Sequence, residues 1–132
     1  MIGKINHLGI AVQSLTQSEG LWGSVLGLKK VGEEEVAEQK VRVAMFKVGE
    51  SKVELLEPTS PDSAIGKFLD KRGEGIHHIC FQVDNIKKAL EEMKAKGAPV
   101  IDQEPRIGAG GHKVAFLHPK GFNGVLIELL EE

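Results

Sequence analysis

The sequence predicts an α+β fold built from two tandem βαβββ modules, and three observations carry that prediction. "INHLGIAV" at 5–12 returns as "IHHICFQV" at 76–83, an offset of 71 residues. At the same offset "RVAMF" (42–46) returns as "KVAFL" (113–117). "VELLE" at 53–57 returns as "IELLE" at 127–131, where the offset has grown to 74. The extra three residues fall in the turn "HPKGFNG" (118–124), where an insertion disturbs least. A repeat that holds register and places its gap in a turn marks a duplicated unit.

Each element follows from local pattern. The first module opens with an apolar strand at 5–12 that carries period-2 features. A helix then starts near Ser14, uses Leu15, Leu21, Trp22, Val25 and Leu26 as its inward face, and stops at Gly27. Gly20 and Gly23 inside it each cost about 1 kcal/mol relative to alanine, so this helix must lean on packing. Strands are expected at 28–36, 40–48 and 51–57. The stretch "TSPDSAIGKFLDKRGEG" (59–75) reads as a short connecting helix. In it Ser60 is the cap, Pro61 lies in the first turn, and Ile65, Phe68 and Leu69 face inward. The second module repeats the order. Its strand at 76–83 leads to a helix with Asp84 or Asn85 as N-cap, Ile86, Ala89, Leu90 and Met93 on one face, and Gly97 as the stop. Strands at 98–103, 113–118 and 124–130 complete it. The chain is thus read as one domain, 1–132, with modules at 1–58 and 76–132 and a helical connector at 59–75.

Composition excludes several classes of function. A chain of 132 residues suits a single core. Its net charge of −2 gives no basic surface for nucleic acid. No run approaches the length of a membrane-spanning helix, and "MIGKINH" has no signal-peptide design. The single cysteine, Cys80, cannot form an internal disulfide and suits a reducing cytoplasm; on its apolar strand it reads as a small buried hydrophobe.

Four polar side chains stand out against the apolar strands. The repeat pairs His7 with His78 and Glu54 with Glu128. A glutamate buried without a partner costs several kcal/mol, so each needs a partner or a chemical role. Imidazole and carboxylate are ligands that divalent zinc, cobalt, nickel, manganese or iron accept, and four such ligands leave one or two positions of an octahedral ion open. His77 matches Asn6 in the repeat and alternates onto the opposite face, so it is not counted as a ligand. His112 and His118 have no repeat partner of their own type.

The duplicated unit with His7, Glu54, His78 and Glu128 resembles the vicinal oxygen chelate superfamily over essentially the whole chain. Within it, "HLGIAV", "GIHHICFQVDNI" and "GAGGHKVAFLHPKGFNGVLIEL" are similar to the methylmalonyl-CoA epimerase family. The turn "HPKG" replaces the acidic "DPDG" typical of bacterial glyoxalase I. The resemblance implies an incomplete eight-stranded barrel around a metal site, with His7, Glu54, His78 and Glu128 as ligands. It implies a divalent cofactor (cobalt favoured; manganese, nickel or zinc as alternatives) and an acyl-CoA thioester substrate.

The implied chemistry is α-proton abstraction and reprotonation through a metal-stabilised enolate. Glu128 would be one acid–base group. The family's second glutamate falls where this chain has Val43, which leaves Glu38, or Lys40, as the nearby polar candidate. For the coenzyme A phosphates, Arg106, Lys113 and Lys120 flank "IGAGGH", whose Gly110 lies among glycines that could let backbone N–H groups approach an anion. A homodimer in the cytoplasm, with neither nucleic acid nor membrane as partner, is the expected setting. The alternatives are a glyoxalase I-like lactoylglutathione lyase, which uses the same ligands, and a metal-free small-molecule binding protein on the same fold.

Overall fold

A computed structural model describes residues Met1–Glu132. Eight strands and three helices form a mixed α+β structure, in agreement with the fold class read from the sequence. The strands are β1 (Ile2–Ala11), β2 (Lys29–Val36), β3 (Val41–Val48), β4 (Ser51–Pro58), β5 (Gly75–Val83), β6 (Arg106–Ile107), β7 (Lys113–Leu117) and β8 (Leu126–Glu131). The helices are α1 (Leu15–Glu19), α2 (Ala64–Arg72) and α3 (Ile86–Ala95). Two compact units are present: residues 7–77, and residues 1–6 together with 78–132. Strand β1 gives its second half to the first of these and its first half to the other.

In the unit 7–77 the strand order is β2-β3-β4-β1. β1 runs parallel to β4, with His7 opposite Lys52, Gly9 opposite Glu54 and Ala11 opposite Leu56. β3 runs antiparallel to both β2 and β4. Alternation gives the sheet two different faces. On one, Ile10, Val12, Ala44, Phe46, Val53 and Leu55 pack with Leu15 of α1. On the other, Ala11, Val41, Val43 and Leu56 pack with Ile65 and Leu69 of α2. That second face also carries His7 and Glu54, displaced along the strands from α2.

Two local expectations are corrected here. The first helix lasts only five residues before it widens into a π-helical turn over Gly20–Val25. Such a turn shifts the angular register, so residues spaced for an α-helix no longer share a face. Leu15 is buried and Trp22 half-buried, whereas Leu21, Val25 and Leu26 of the expected inward face are exposed. The cap of α2 is Ser63 rather than Ser60: its hydroxyl accepts from the Gly66 N–H at 3.0 Å. Ser60 instead supplies the carbonyl that accepts the Ser63 hydroxyl, and Pro61 lies in the turn before the helix. That turn folds back tightly, because a Cβ at Gly66 would sit 2.6 Å from the Pro61 carbonyl oxygen.

In the other unit the order is β1-β5-β8-β7-β6. β5 is parallel to β8, with His78 opposite Leu126 and Cys80 opposite Glu128. β7 is antiparallel to β8 and β6. α3 is capped by Asn85, whose side chain accepts from the Lys88 N–H at 3.0 Å, and Gly97 follows in the left-handed region at φ 87°. Its inward residues Ile86, Ala89 and Leu90 pack on Val83, Ala115, Leu117, Ile127 and Leu129. The face bearing His78, Cys80 and Glu128 is therefore the one α3 leaves open.

The strand expected at 98–103 does not form; Val100 makes one bridge to Leu117. Pro99 has no N–H to give. The Asp102 carboxylate takes the Phe116 N–H at 2.8 Å, a donor that a strand would have met with a backbone carbonyl. Pairing resumes only at the two-residue β6. No helix is long and apolar enough to cross a membrane.

Two stability measurements check this packing. Leu55, with no exposed surface, changed to alanine is expected to lower unfolding free energy by about 2–5 kcal/mol in denaturant titration. Ser63→Ala should cost about 1 kcal/mol as a lost N-cap, and more than Ser60→Ala in the same assay. The reverse order would move the cap back to Ser60.

Candidate functional site

Register decides which polar side chains meet. In the unit 7–77, the parallel ladder sets Glu54 opposite Gly9 and places His7 two residues earlier on the same face. His7 Nδ1 lies 3.3 Å from Glu54 Oε2, with the two side chains 5% and 14% exposed. The other unit repeats this arrangement. Glu128 stands opposite Cys80, His78 is two residues earlier, and His78 Nε2 lies 3.1 Å from Glu128 Oε1. These side chains are 8% and 11% exposed. Each unit thus buries one carboxylate against one imidazole.

The donor chemistry fits a divalent ion. Imidazole nitrogen and carboxylate oxygen bind such ions at about 2.1 Å, so two donors at right angles on one ion lie about 3.0 Å apart. The separations of 3.3 and 3.1 Å are close to that value. On one side the two glutamates have small neighbours, Gly9 and Cys80, and on the other the larger Met45 and Phe116. Cys80 forms no disulfide and is fully buried with Val114 and Leu130, with its sulfur within 4.8 Å of a Glu128 carboxylate oxygen. Burial among apolar side chains agrees with the reading of Cys80 as a small hydrophobe.

The surroundings of His78 and Glu128 add two residues. Phe116 faces Glu128 across β7 and β8, and its ring meets the His78 ring edge-on at 6.1 Å and 82°. The Arg106 guanidinium stands 5.3 Å from the Phe116 ring centre and 3.5 Å (Nε) from Asp102 Oδ1. Phe116 is absent from the sequence-derived site. Its signal was available, because the repeat aligns it with Met45, which faces Glu54 in the same way. His77 lies elsewhere, edge-on to Phe68 at 5.0 Å.

The remaining sequence candidates are dispersed. Glu38 lies in an exposed 3₁₀ turn (Ala37–Gln39) between β2 and β3. Lys40 follows in the left-handed region at φ 55°, with its ammonium 2.7 Å from Asp62. Val43 is buried in the α2-side core. Nearby, Arg42 binds Glu33 at 2.6 Å and Glu35 at 3.1 Å. Lys30 and Arg42 together hold the Glu33 carboxyl down at about 2.

In the glycine loop, the Gly108 N–H donates to the His112 carbonyl and the Gly111 N–H to the Gly108 carbonyl, so those two donors are engaged within the loop. Gly110 is at φ 72°, which favours glycine. Lys113 and Lys120 are exposed. Alternation along β7 puts Lys113 on the face opposite Phe116, so it and Arg106 are not brought together. His118 acts locally, since its Nδ1 accepts the Lys120 N–H at 3.0 Å and caps the turn.

Comparison with known proteins places this geometry in a family. Residues 6–116 match the model of the glyoxalase/bleomycin resistance protein/dioxygenase superfamily. Members of that superfamily typically bind a divalent metal ion. An ethylmalonyl-CoA/methylmalonyl-CoA epimerase of Cereibacter sphaeroides is 41% identical over 131 residues, covering 98% of this chain and 98% of that protein. A Streptomyces coelicolor methylmalonyl-CoA epimerase variant solved with 2-nitronate-propionyl-CoA superposes with a TM-score of 0.95 at 39% identity, covering 100% of this chain and 96% of that one. A methylmalonyl-CoA epimerase solved with methylmalonyl-CoA gives the same TM-score, identity and coverage. The fold, the end-to-end sequence similarity and the family match agree, and the chain belongs to the glyoxalase/bleomycin resistance protein/dioxygenase superfamily, among the methylmalonyl-CoA epimerases.

Proposed function

We propose that this protein is an epimerase interconverting (R)- and (S)-methylmalonyl-CoA. The observation that carries the reading is the end-to-end similarity to proteins named for that activity. The reaction removes the proton on the carbon between thioester and carboxylate and returns one on the opposite face. That carbon is acidic only if the charge developing on the oxygens is stabilised.

His7, Glu54, His78 and Glu128 are proposed as protein ligands of a divalent ion, with cobalt favoured over manganese, nickel or zinc. The support is the matching pair of buried imidazole–carboxylate contacts, one in each unit. When bound, such an ion supplies a Lewis acid for the developing charge. The chain's own groups do the rest. Glu128 is assigned to proton transfer: one carboxylate oxygen faces His78, which orients the group for exchange of a proton with the substrate.

Arg106, braced against Phe116 and Asp102, is assigned to an anionic group of the substrate. Lys113 and Lys120 are proposed for the coenzyme A phosphates, and Gly110 for close backbone approach. Glu38, the sequence's candidate for a second acid–base group, lies on an exposed turn. A homodimer in the cytoplasm is the proposed setting, and the open edge of β2 offers a surface for pairing.

Two outcomes test this reading. Protein stripped of metal and reloaded with cobalt should exchange the α-proton of methylmalonyl-CoA for deuterium in D₂O only in the loaded form, read by mass spectrometry. Absence of exchange in both forms would sink the epimerase assignment. Glu128→Gln should keep its circular dichroism spectrum and lose turnover by about 10²–10⁴-fold, the usual contribution of a general acid–base group. Near-normal turnover would remove Glu128 from proton transfer.

A further inference from the structure

Inversion at a carbon needs proton transfer on both faces of a planar intermediate, and so two groups able to hold a proton. Strand β2 of the unit 7–77 carries three consecutive glutamates, Glu33, Glu34 and Glu35. Their orientation is fixed by a bulge. Lys30 stands opposite Phe46, yet Gly32 stands opposite Met45, so one extra residue is accommodated at Val31. A one-residue shift of register exchanges the two faces of a strand. Without it, Glu34 would stand opposite Arg42 and point with it.

With the bulge, Glu34 stands opposite Val43, and Val43 stands opposite Leu56. This is the face that carries Glu54 and His7. Glu33 and Glu35 turn to the other face, where Arg42 binds both. Glu34 is half-buried and has neither a hydrogen bond nor an ion pair. A half-buried carboxylate that no cation holds is able to take up and release a proton.

Glu34 and Glu54 lie two strand spacings apart and two residues apart along the strands, about 12 Å at the backbone. Between them the same face presents Gly32, Met45, Val43 and Leu56, the last two packed against α2. Gly32 keeps the floor low, since a Cβ there would meet the Met45 methyl at 3.2 Å.

We propose that Glu34 is the second acid–base group of the reaction, in a role that rests on the epimerase reading above. In one direction the α-carbon C–H bond breaks, its electron pair passes into the enolate, and the proton forms an O–H bond on a carboxylate. On the other face a carboxylic acid O–H breaks, and its proton forms the new C–H bond with that electron pair. Exchange with water returns both carboxyl groups to their starting states. Glu34 handles the proton on one of these faces.

The test uses E34Q, with E35Q as control, assayed in the metal-loaded protein with each epimer of methylmalonyl-CoA separately in D₂O. E34Q should slow epimerisation by about 10²–10⁴-fold. It should still admit solvent deuterium from one epimer at close to the wild-type rate, and from the other hardly at all. E35Q, on the Arg42 face, should behave as wild type. Normal epimerisation by E34Q, equal loss of exchange from both epimers, or the one-epimer pattern in E38Q instead, would overturn the role of Glu34. A wild-type protein that exchanges neither epimer would remove the epimerase reading itself and this role with it.

Discussion

The pairing of an imidazole with a glutamate across a parallel ladder is the interaction around which each unit is arranged. A carboxylate on a central strand cannot remain hydrated, and its charge must be met by a fixed partner or an ion. His7 with Glu54, and His78 with Glu128, meet that need at 3.3 and 3.1 Å. The constraint acts through register. The histidine must sit two residues before the position opposite the glutamate, and both ladders satisfy this. A slip of one residue in either would turn its histidine into the opposite core.

Once register is set, the helices follow. α1 and α3 cover the faces formed by Ile10, Phe46 and Leu55 and by Ala115, Ile127 and Leu129, leaving the His–Glu faces open. α2 closes one end of its own unit's face through Ile65 and Leu69, away from Glu54. The edges are then adjusted by irregularities rather than by regular strand. At β2 a bulge rotates three glutamates so that one faces inward. Next to β7, the Asp102 side chain takes the place of a backbone carbonyl, and the same residue steadies Arg106 over Phe116.

Most element types were legible because they rest on periodicity and caps. Asn85 and Gly97 bracket α3 as expected, and the apolar strands lie where their alternation placed them. The misses share one cause: a local signal outweighed by a neighbouring group. Ser60 has the side chain of a cap, but the chain turns around Pro61 and leaves Ser63 at the start of α2. The apolar spacing of Leu21, Val25 and Leu26 is helical, yet a widened turn containing Gly20 and Gly23 moves those residues into solvent. The stretch 98–103 looks like a strand, but its partner's N–H is taken by Asp102.

The sequence by itself determined the strand-borne histidines and glutamates, and the period-2 alternation that keeps each on one face. These are properties of residue type and spacing, and they survive any arrangement of strands that preserves register. The tertiary structure decided which partner each side chain meets. Ladder register selects Glu54 for His7 and Glu128 for His78, packing brings Phe116 to His78, and one extra residue at Val31 turns Glu34 toward the face that carries Glu54, and Glu33 and Glu35 away from it. A bulge is invisible in the run "GEEEV", because the choice between its two faces is made by the strand alongside and not by the glutamates themselves.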